Sequence, residues 1–480
     1  MDVAHIIKEK AFIGGEWRGA DDGSTFDVSN PSTDEKIASV PDMGAGETRA
    51  AITAAVPAFE QWREKTGKER SVILRRWFER ITAESEALAH LLTLEQGKPL
   101  GEARGEIAYG ASFIEWFAEE AKRAYGETIP GHLRDKRLMT IKQPVGVAAA
   151  ITPWNFPNAM ITRKAGAALA AGCAMIVKPA EQTPLSALAL ATLGEQAGLP
   201  PGVFSVITGE APVIGGALTL SKIVRKLTFT GSTQTGRLLM RQCADTIKKL
   251  SLELGGNAPF IVLDDANLDK AADAAILCKF RNAGQTCVSA NRIYAQAGVY
   301  DAFVEKLTAR VAQLTVGDGF SDGAQIGPLI DRAAVEKVQA HLADALEKGA
   351  QVTTGGKPHG CGGLFFEPTV LAGAAQAMRI AHEETFGPLA PVIKFESDKE
   401  AVACANDTEF GLAAYLFTNS LSRAFRTAEA IEAGMVGINT GIISTEVAPF
   451  GGVKQSGLGR EGGRQGIEEY LETKYLCLEI

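Results

Sequence analysis

The chain has 480 residues, with 49 Lys+Arg against 57 Asp+Glu and a formal charge of -8. That length exceeds what one hydrophobic core holds, so two or more packed units are expected, and the acidic balance offers no field to draw a polyanion such as nucleic acid. Seven cysteines, Cys173, Cys243, Cys278, Cys287, Cys361, Cys404 and Cys477, are scattered without a CxxC pair or a clustered His, so neither a disulfide frame nor a metal site is expected and a reducing compartment is favoured.

In chain order, residues 1–10 carry Asp2, His5 and Glu9, without the basic start and apolar run of a signal peptide. The later apolar stretch 145–154 is far too short to span a membrane. A cytoplasmic protein with no membrane partner is the expectation. Residues 66–125 show helical spacing, with Leu74, Trp77, Phe78, Ile81 and Leu88 between Arg and Glu, and predict surface helices over a core. From about Val145 short β-rich runs alternate with Ala- and Gly-rich helical stretches. Strands are predicted at 145–151, 174–177, 203–207, 224–229 and 249–252, with helices after Pro157, Pro184, Pro212 and Thr233. The simplest closure is a right-handed parallel sheet covered on both faces, with ligands beyond the carboxyl ends of its strands. A second α/β series starts near Ala258, with strands at 260–263 and 292–295 around a helix at 268–280, and continues to about Asn439.

The chemistry-bearing residues cluster at these strand ends. Cys287 lies in Gly284-Gln-Thr-Cys287, a setting that suggests an accessible loop and a nucleophile; a buried free cysteine acting as a small hydrophobe is the plain alternative. No histidine lies within forty residues of it, so a local Cys/His pair has no support. Glu253 ends a strand before Gly255-Gly256, which suits a mobile general base as well as a solvated strand-end Glu. Asn155, after Thr152, Pro153 and Trp154, suits an oxyanion donor or a plain cap. Gly231-Ser232-Thr233 closes an apolar strand before a helix, where backbone N–H groups can meet a phosphate or Ser232 can simply cap. Lys178 and Glu181 can hydrogen-bond ribose hydroxyls or form a surface ion pair, and a carboxylate at 181 disfavours a 2′-phosphate. Gly457-Leu-Gly459-Arg-Glu-Gly462 fits GxGxxG, but only eighteen residues follow it; with no room for a βαβ unit it predicts a tight surface turn.

Taken in order, Thr152-Pro-Trp-Asn-Phe-Pro157, Lys178-Pro-Ala-Glu181, Gly231-Ser-Thr233, Glu253-Leu-Gly-Gly256, Gly284-Gln-Thr-Cys287, Glu384-Thr-Phe-Gly-Pro388 and Pro449-Phe-Gly-Gly452 resemble the NAD(P)-dependent aldehyde dehydrogenase superfamily. The resemblance runs from about Phe12 to the C-terminus. It implies an α/β fold with a Rossmann-like parallel-sheet cofactor domain (1–125 and 145–253), an α/β catalytic domain (254–440) and a small β oligomerisation arm (126–144 and 465–480). It also implies that Cys287 is the nucleophile, that Asn155 and the Cys287 N–H bind the oxyanion, and that Glu253 activates the hydrolytic water. Thr152, Pro153, Trp154, Asn155, Lys178, Glu181, Gly231, Ser232, Leu254, Glu384 and Phe386 would hold NAD, with NADP as the alternative. A homo-oligomer, at least a dimer and by preference a tetramer, is implied by the arm.

Met160-Ile-Thr-Arg163-Lys-Ala-Gly, Arg281 and Gly441-Ile-Ile-Ser444-Thr-Glu-Val-Ala-Pro449 resemble the succinate-semialdehyde dehydrogenase branch. There two arginines and a serine grip the distal carboxylate, which places Arg163, Arg281 and Ser444 on the substrate. The expected substrate is succinic semialdehyde, with glutaric semialdehyde next, because one methylene in an apolar tunnel discriminates by only about 1 to 3 kcal/mol. A broad-specificity aldehyde dehydrogenase and a non-catalytic scaffold are the competing readings. Many members of the branch carry a second cysteine two places after the nucleophile; Ser289 stands there, so no thiol switch is expected.

Overall fold

The computed structural model of the protein describes residues 3–480, so Met1 and Asp2 of the expected segment 1–125, and of the leader reading, lie outside the described residues. The first α/β series forms the centre of an eight-stranded sheet. Its order is Gly457–Leu458, Lys249–Glu253, Val224–Thr230, Val147–Ile151, Ala174–Lys178, Phe204–Val206, Ala11–Ile13 and Glu16–Arg18. The five central strands are parallel, and their near-continuous apolar content follows from burial on both faces. Val147–Ile151 is the first of the five in the chain yet lies in their middle. The chain steps outward through Ala174–Lys178 and Phe204–Val206, then returns to place Val224–Thr230 on the other side. The strand order therefore reverses between Ile151 and Thr230, and a crevice opens beyond those two ends.

Helices Ala159–Ala171, Leu185–Ala197, Ala211–Leu220 and Thr233–Cys243 make the crossovers. Pro212 lies inside the first turn of its helix instead of before it, where the missing N–H has no intrahelical partner to lose. The helices expected on the surface, Gly67–Ala83, Ser85–Gln96 and Leu100–Glu120, start from a Thr66–Glu69 capping box and are more deeply engaged than covering helices. Leu74, Trp77, Ile81 and Leu88 are buried, the Trp77 indole donates to the Leu190 carbonyl at 3.1 Å, and Leu100–Glu120 packs along Ala159–Ala171.

The second series forms a seven-stranded sheet in the order Gln351–Thr354, Thr369–Ala374, Leu389–Phe395, Ala290–Gln296, Ala258–Val262, Ala413–Phe417 and Met435–Ile438. All neighbours in it are parallel except the first pair. Leu268–Phe280 is a helix capped by the Asn267 side chain. A third, antiparallel sheet joins Leu471–Glu479, Lys136–Pro144 and Glu127–Ile129. Among the described residues no helix is long and apolar enough to cross a membrane.

The GxGxxG segment is not a surface turn. Gly457–Leu458 pairs with Lys249–Glu253 at the edge of the first sheet, and Glu461 is buried against Arg163 and Lys164. Its role is set by those two cations, which its own local pattern does not contain.

Candidate active site

Two cavities meet at Cys287. One, of about 340 Å³, lies over the crevice of the first sheet and is lined by Pro153, Trp154, Asn155, Gly231, Ser232, Glu253, Leu254, Glu384 and Phe386, together with Lys337. The other, of about 250 Å³, is lined by Tyr109, Phe156, Met160, Arg163, Arg281, Ser444 and Phe450, with Glu102 and Glu106 at its wall. Cys287 and Met160 belong to both. Cys287 is half-buried at the meeting point of the two cavities and is reached from two sides. Burial pushes the Cys287 thiol up to about 12, a rise opposed by the nearby Arg163 and Arg281 guanidinium groups.

An unusual backbone aims the cysteine. Asn282, Ala283 and Gly284 are three successive residues at positive φ (52°, 54° and 76°), a conformation that a non-glycine residue adopts only at a cost. The Glu102 carboxylate accepts from the Asn282 N–H at 2.8 Å. Gln285 donates to the carbonyls of Asn282 and Pro328 and accepts from the Ile330 N–H. Asn155 donates through Nδ2 to the Gln285 carbonyl at 3.0 Å, which leaves its second amide hydrogen uncommitted. The structure thus brings Asn155 and the cysteine loop together, the two segments that the resemblance places at one oxyanion.

Glu253 is 2% exposed and neither of its oxygens has a hydrogen-bond partner, so the solvated reading does not hold. Burial raises its pKa well above the carboxylate range, and the neighbouring Glu461 charge adds to the rise. The turn after it is close-packed: a Cβ on Gly256 would lie 2.2 Å from the Cys287 carbonyl oxygen. Glycine is there for close approach, where looseness had been expected. Gly256→Ala is expected to cost about 1 to 3 kcal/mol in stability and to slow Cys287 alkylation by iodoacetamide; a thermal melt and alkylation rates check both.

Glu384 accepts from the Gly256 N–H at 3.0 Å and burial lifts its pKa to about 7. The Phe386 and Trp154 rings meet edge to face, with centroids 5.6 Å apart. Ser232 caps Thr233–Cys243 by accepting from the Thr235 N–H and also lines the larger cavity. Lys178, Glu181 and Thr152 are not among the residues that line it. Lys178 is buried and its ammonium lies 2.8 Å from Glu181, whose carboxylate also accepts from the Ala211 N–H. The pair is thus half inside the protein and not a surface bridge.

Arg163 and Arg281 line one cavity with Ser444 but differ in their commitments. Arg163 is ion-paired to Glu461 and stacks over Phe450 at 4.5 Å. Arg281 stacks over Phe156 at 5.3 Å and forms no ion pair among the described residues. Glu102, Glu106, Tyr109 and Lys337 line the two cavities and belong to none of the sequence motifs, whereas Phe450 and Glu461 stand inside Pro449-Phe-Gly-Gly452 and the GxGxxG segment without a role of their own there. The one available signal was the Glu102, Glu106, Tyr109 face of a helix, which reads as a solvated charged face until the fold closes on it.

The sequence pattern of the Aldehyde dehydrogenase family matches residues 17–476. The chain is 63% identical to the glutarate-semialdehyde dehydrogenase of Pseudomonas aeruginosa, over 99% of this chain and 98% of that one. It is 62% identical to the NADP(+) succinate-semialdehyde dehydrogenase of Escherichia coli, over the full length of both. The crystal structure of succinate-semialdehyde dehydrogenase from Burkholderia pseudomallei superposes with a TM-score of 0.99 at 60% identity, covering 99% of each chain.

Proposed function

Because this chain belongs to the aldehyde dehydrogenase family, we propose that it oxidises an aldehyde with a carboxylate at its far end, succinic semialdehyde first and glutaric semialdehyde second, to the dicarboxylate. One observation carries this reading: an uncommitted guanidinium, Arg281, faces the cavity that ends at the Cys287 sulfur. Guanidinium grips a carboxylate by two hydrogen bonds and so orients as well as attracts it. Ser444 supplies a hydroxyl to the same group, and Phe156, Met160 and Phe450 give the methylenes an apolar wall. The Pseudomonas aeruginosa and Escherichia coli relatives are dehydrogenases of semialdehydes of this type.

The residues of the larger cavity suit the nicotinamide end and a phosphate of a dinucleotide. A helix N-terminus capped by Ser232 opens into it, Trp154 and Phe386 form an aromatic end, and Glu384 presents a carboxylate beyond its one bond to Gly256. When bound, NAD(P) supplies a hydride acceptor and a pyridinium charge beside the sulfur. Ser232 and Gly231 would hold phosphate, Glu384 the nicotinamide ribose, and Lys178 with Glu181 the adenosine ribose, beyond the cavity lining. The Glu181 carboxylate repels a 2′-phosphate, so NAD is the first reading; NADP is the alternative, since Lys178 offsets that charge.

The Cys287 thiol gives its proton to water and the sulfur attacks the aldehyde carbon, while the oxygen's charge is taken by the second hydrogen of Asn155 Nδ2 and by the Cys287 N–H. Loss of hydride leaves a thioester on Cys287. Glu253, in the same cavity as the sulfur, takes a proton from the water that attacks it, and the acid departs. The exposed antiparallel sheet of Lys136–Pro144 and Leu471–Glu479 is assigned to assembly of a homotetramer.

Steady-state rates with succinic semialdehyde, glutaric semialdehyde and butanal, each with NAD and NADP, test the reading. A semialdehyde should exceed butanal in kcat/KM by about a hundredfold, close to 2.7 kcal/mol. Equal or better use of butanal overturns the carboxylate clamp and leaves a general aldehyde dehydrogenase.

A further inference from the structure

Lys98 and Glu106 form an ion pair at 2.5 Å in which both side chains are 1% exposed. Burying two charges costs several kcal/mol each, and well-packed apolar residues of similar size are often no less stable in their place. Packing alone therefore gives no reason for the pair, and its hydrogen bonds suggest one. Lys98 Nζ donates to the backbone carbonyl of Asn155 at 2.8 Å as well as to Glu106, and it lies 3.9 Å from the Phe156 ring centroid. Its ammonium is thus shared between Glu106 and one short turn, residues 155–156. The other oxygen of Glu106 accepts from the N–H groups of Asn158 and Ala159 at 3.0 and 3.2 Å, which open the helix Ala159–Ala171. Asn282 Nδ2 donates to the same Asn155 carbonyl at 3.0 Å.

We propose that the buried Lys98–Glu106 pair is a positioning device for Asn155, gripping the turn 155–159 at both ends so that the Asn155 amide is held against the cysteine loop. Lys98 fixes the Asn155 peptide, Glu106 fixes the first helical turn, and the side chain between them reaches the Gln285 carbonyl. Neither member of the pair touches the sulfur. This inference rests on the reading of Asn155 as the oxyanion donor. An amide displaced by about an ångström loses most of its effect on a developing charge, so the loss belongs in kcat more than in KM.

The test uses the full-length enzyme with saturating cofactor and compares Lys98→Met, Asn155→Ala and Lys98→Met/Asn155→Ala. Lys98→Met is expected to lower kcat about tenfold or more with KM within about threefold. It should leave iodoacetamide alkylation of Cys287 within about twofold and add no further loss in the Asn155→Ala background. Independent losses in the double variant, or an unchanged kcat in Lys98→Met while Asn155→Ala is impaired, overturn the proposal. An Asn155→Ala enzyme with parental kcat overturns the oxyanion reading itself, and the positioning role with it. If Lys98→Met does not fold, Lys98→Met/Glu106→Leu leaves no charge unpaired and is compared with Asn155→Ala in the same way.

Discussion

A Glu253→Gln enzyme is expected to release one burst of reduced nicotinamide per active site and then to turn over about 10² to 10⁴-fold more slowly than the parent. The substitution is nearly isosteric, and both Glu253 oxygens lack hydrogen-bond partners, so little is lost in folding. What is lost is the proposed base. Burial, with Glu461 behind it, holds the Glu253 pKa well above the carboxylate range. A group so placed is protonated, and useless for accepting a proton, at pH values where an ordinary glutamate is already ionised. The sign follows directly: kcat rises as pH climbs through the raised pKa, because only the ionised form takes the water's proton. In Glu253→Gln that limb should vanish. Stopped-flow absorbance of reduced nicotinamide separates the steps. A first turnover slowed as much as the later ones would place Glu253 before thioester formation and overturn its assignment to hydrolysis.

The second large effect is on substrate choice. Arg281→Ala should lower kcat/KM for a semialdehyde by about a hundredfold, near 2.7 kcal/mol, while butanal changes by about threefold or less. Arg281 is the informative arginine because it has no ion-pair partner among the described residues, whereas Arg163 neutralises Glu461. Removing Arg163 leaves the buried Glu461 with Lys164 as its remaining ion-pair partner, a disturbance of the buried charge cluster that would depress activity toward every aldehyde alike. Equal losses on the semialdehyde and butanal in Arg281→Ala would show that this guanidinium serves the sulfur's field and not the substrate. Parallel melting curves exclude a folding defect.

Much of the scaffold was legible from local patterns. Strands at Val147–Ile151, Ala174–Lys178 and Val224–Thr230 and the helix Leu268–Phe280 were read closely, because a strand buried on both faces needs a continuous apolar run and a helix needs its cap. Cys287 and Glu253 stand out because each sits at a strand end or loop beside small residues, and Asn155 because it is a polar amide where a strand gives way to a helix. At Gly255-Gly256 the sequence does not separate a glycine that permits flexibility from one that permits contact with the Cys287 carbonyl, because the two are identical until the fold brings that carbonyl close. Gly457–Leu458 was misread for a related reason: an edge pairing with Lys249–Glu253 joins segments two hundred residues apart.

By itself the sequence determined the local chemistry of this protein: which runs become strands or helices, and which residue types stand at their ends. These depend on periodicity and on interactions a few residues long. Only the tertiary structure decided the pairing of charges. Arg163 with Glu461, Lys98 with Glu106 and the lone Arg281 are outcomes of burial, and the energy of a charge depends on the groups that surround it in space. The same lysine or glutamate is a solvated surface group or a costly buried one according to which helix closes over it, so its role emerges with the closure of the fold.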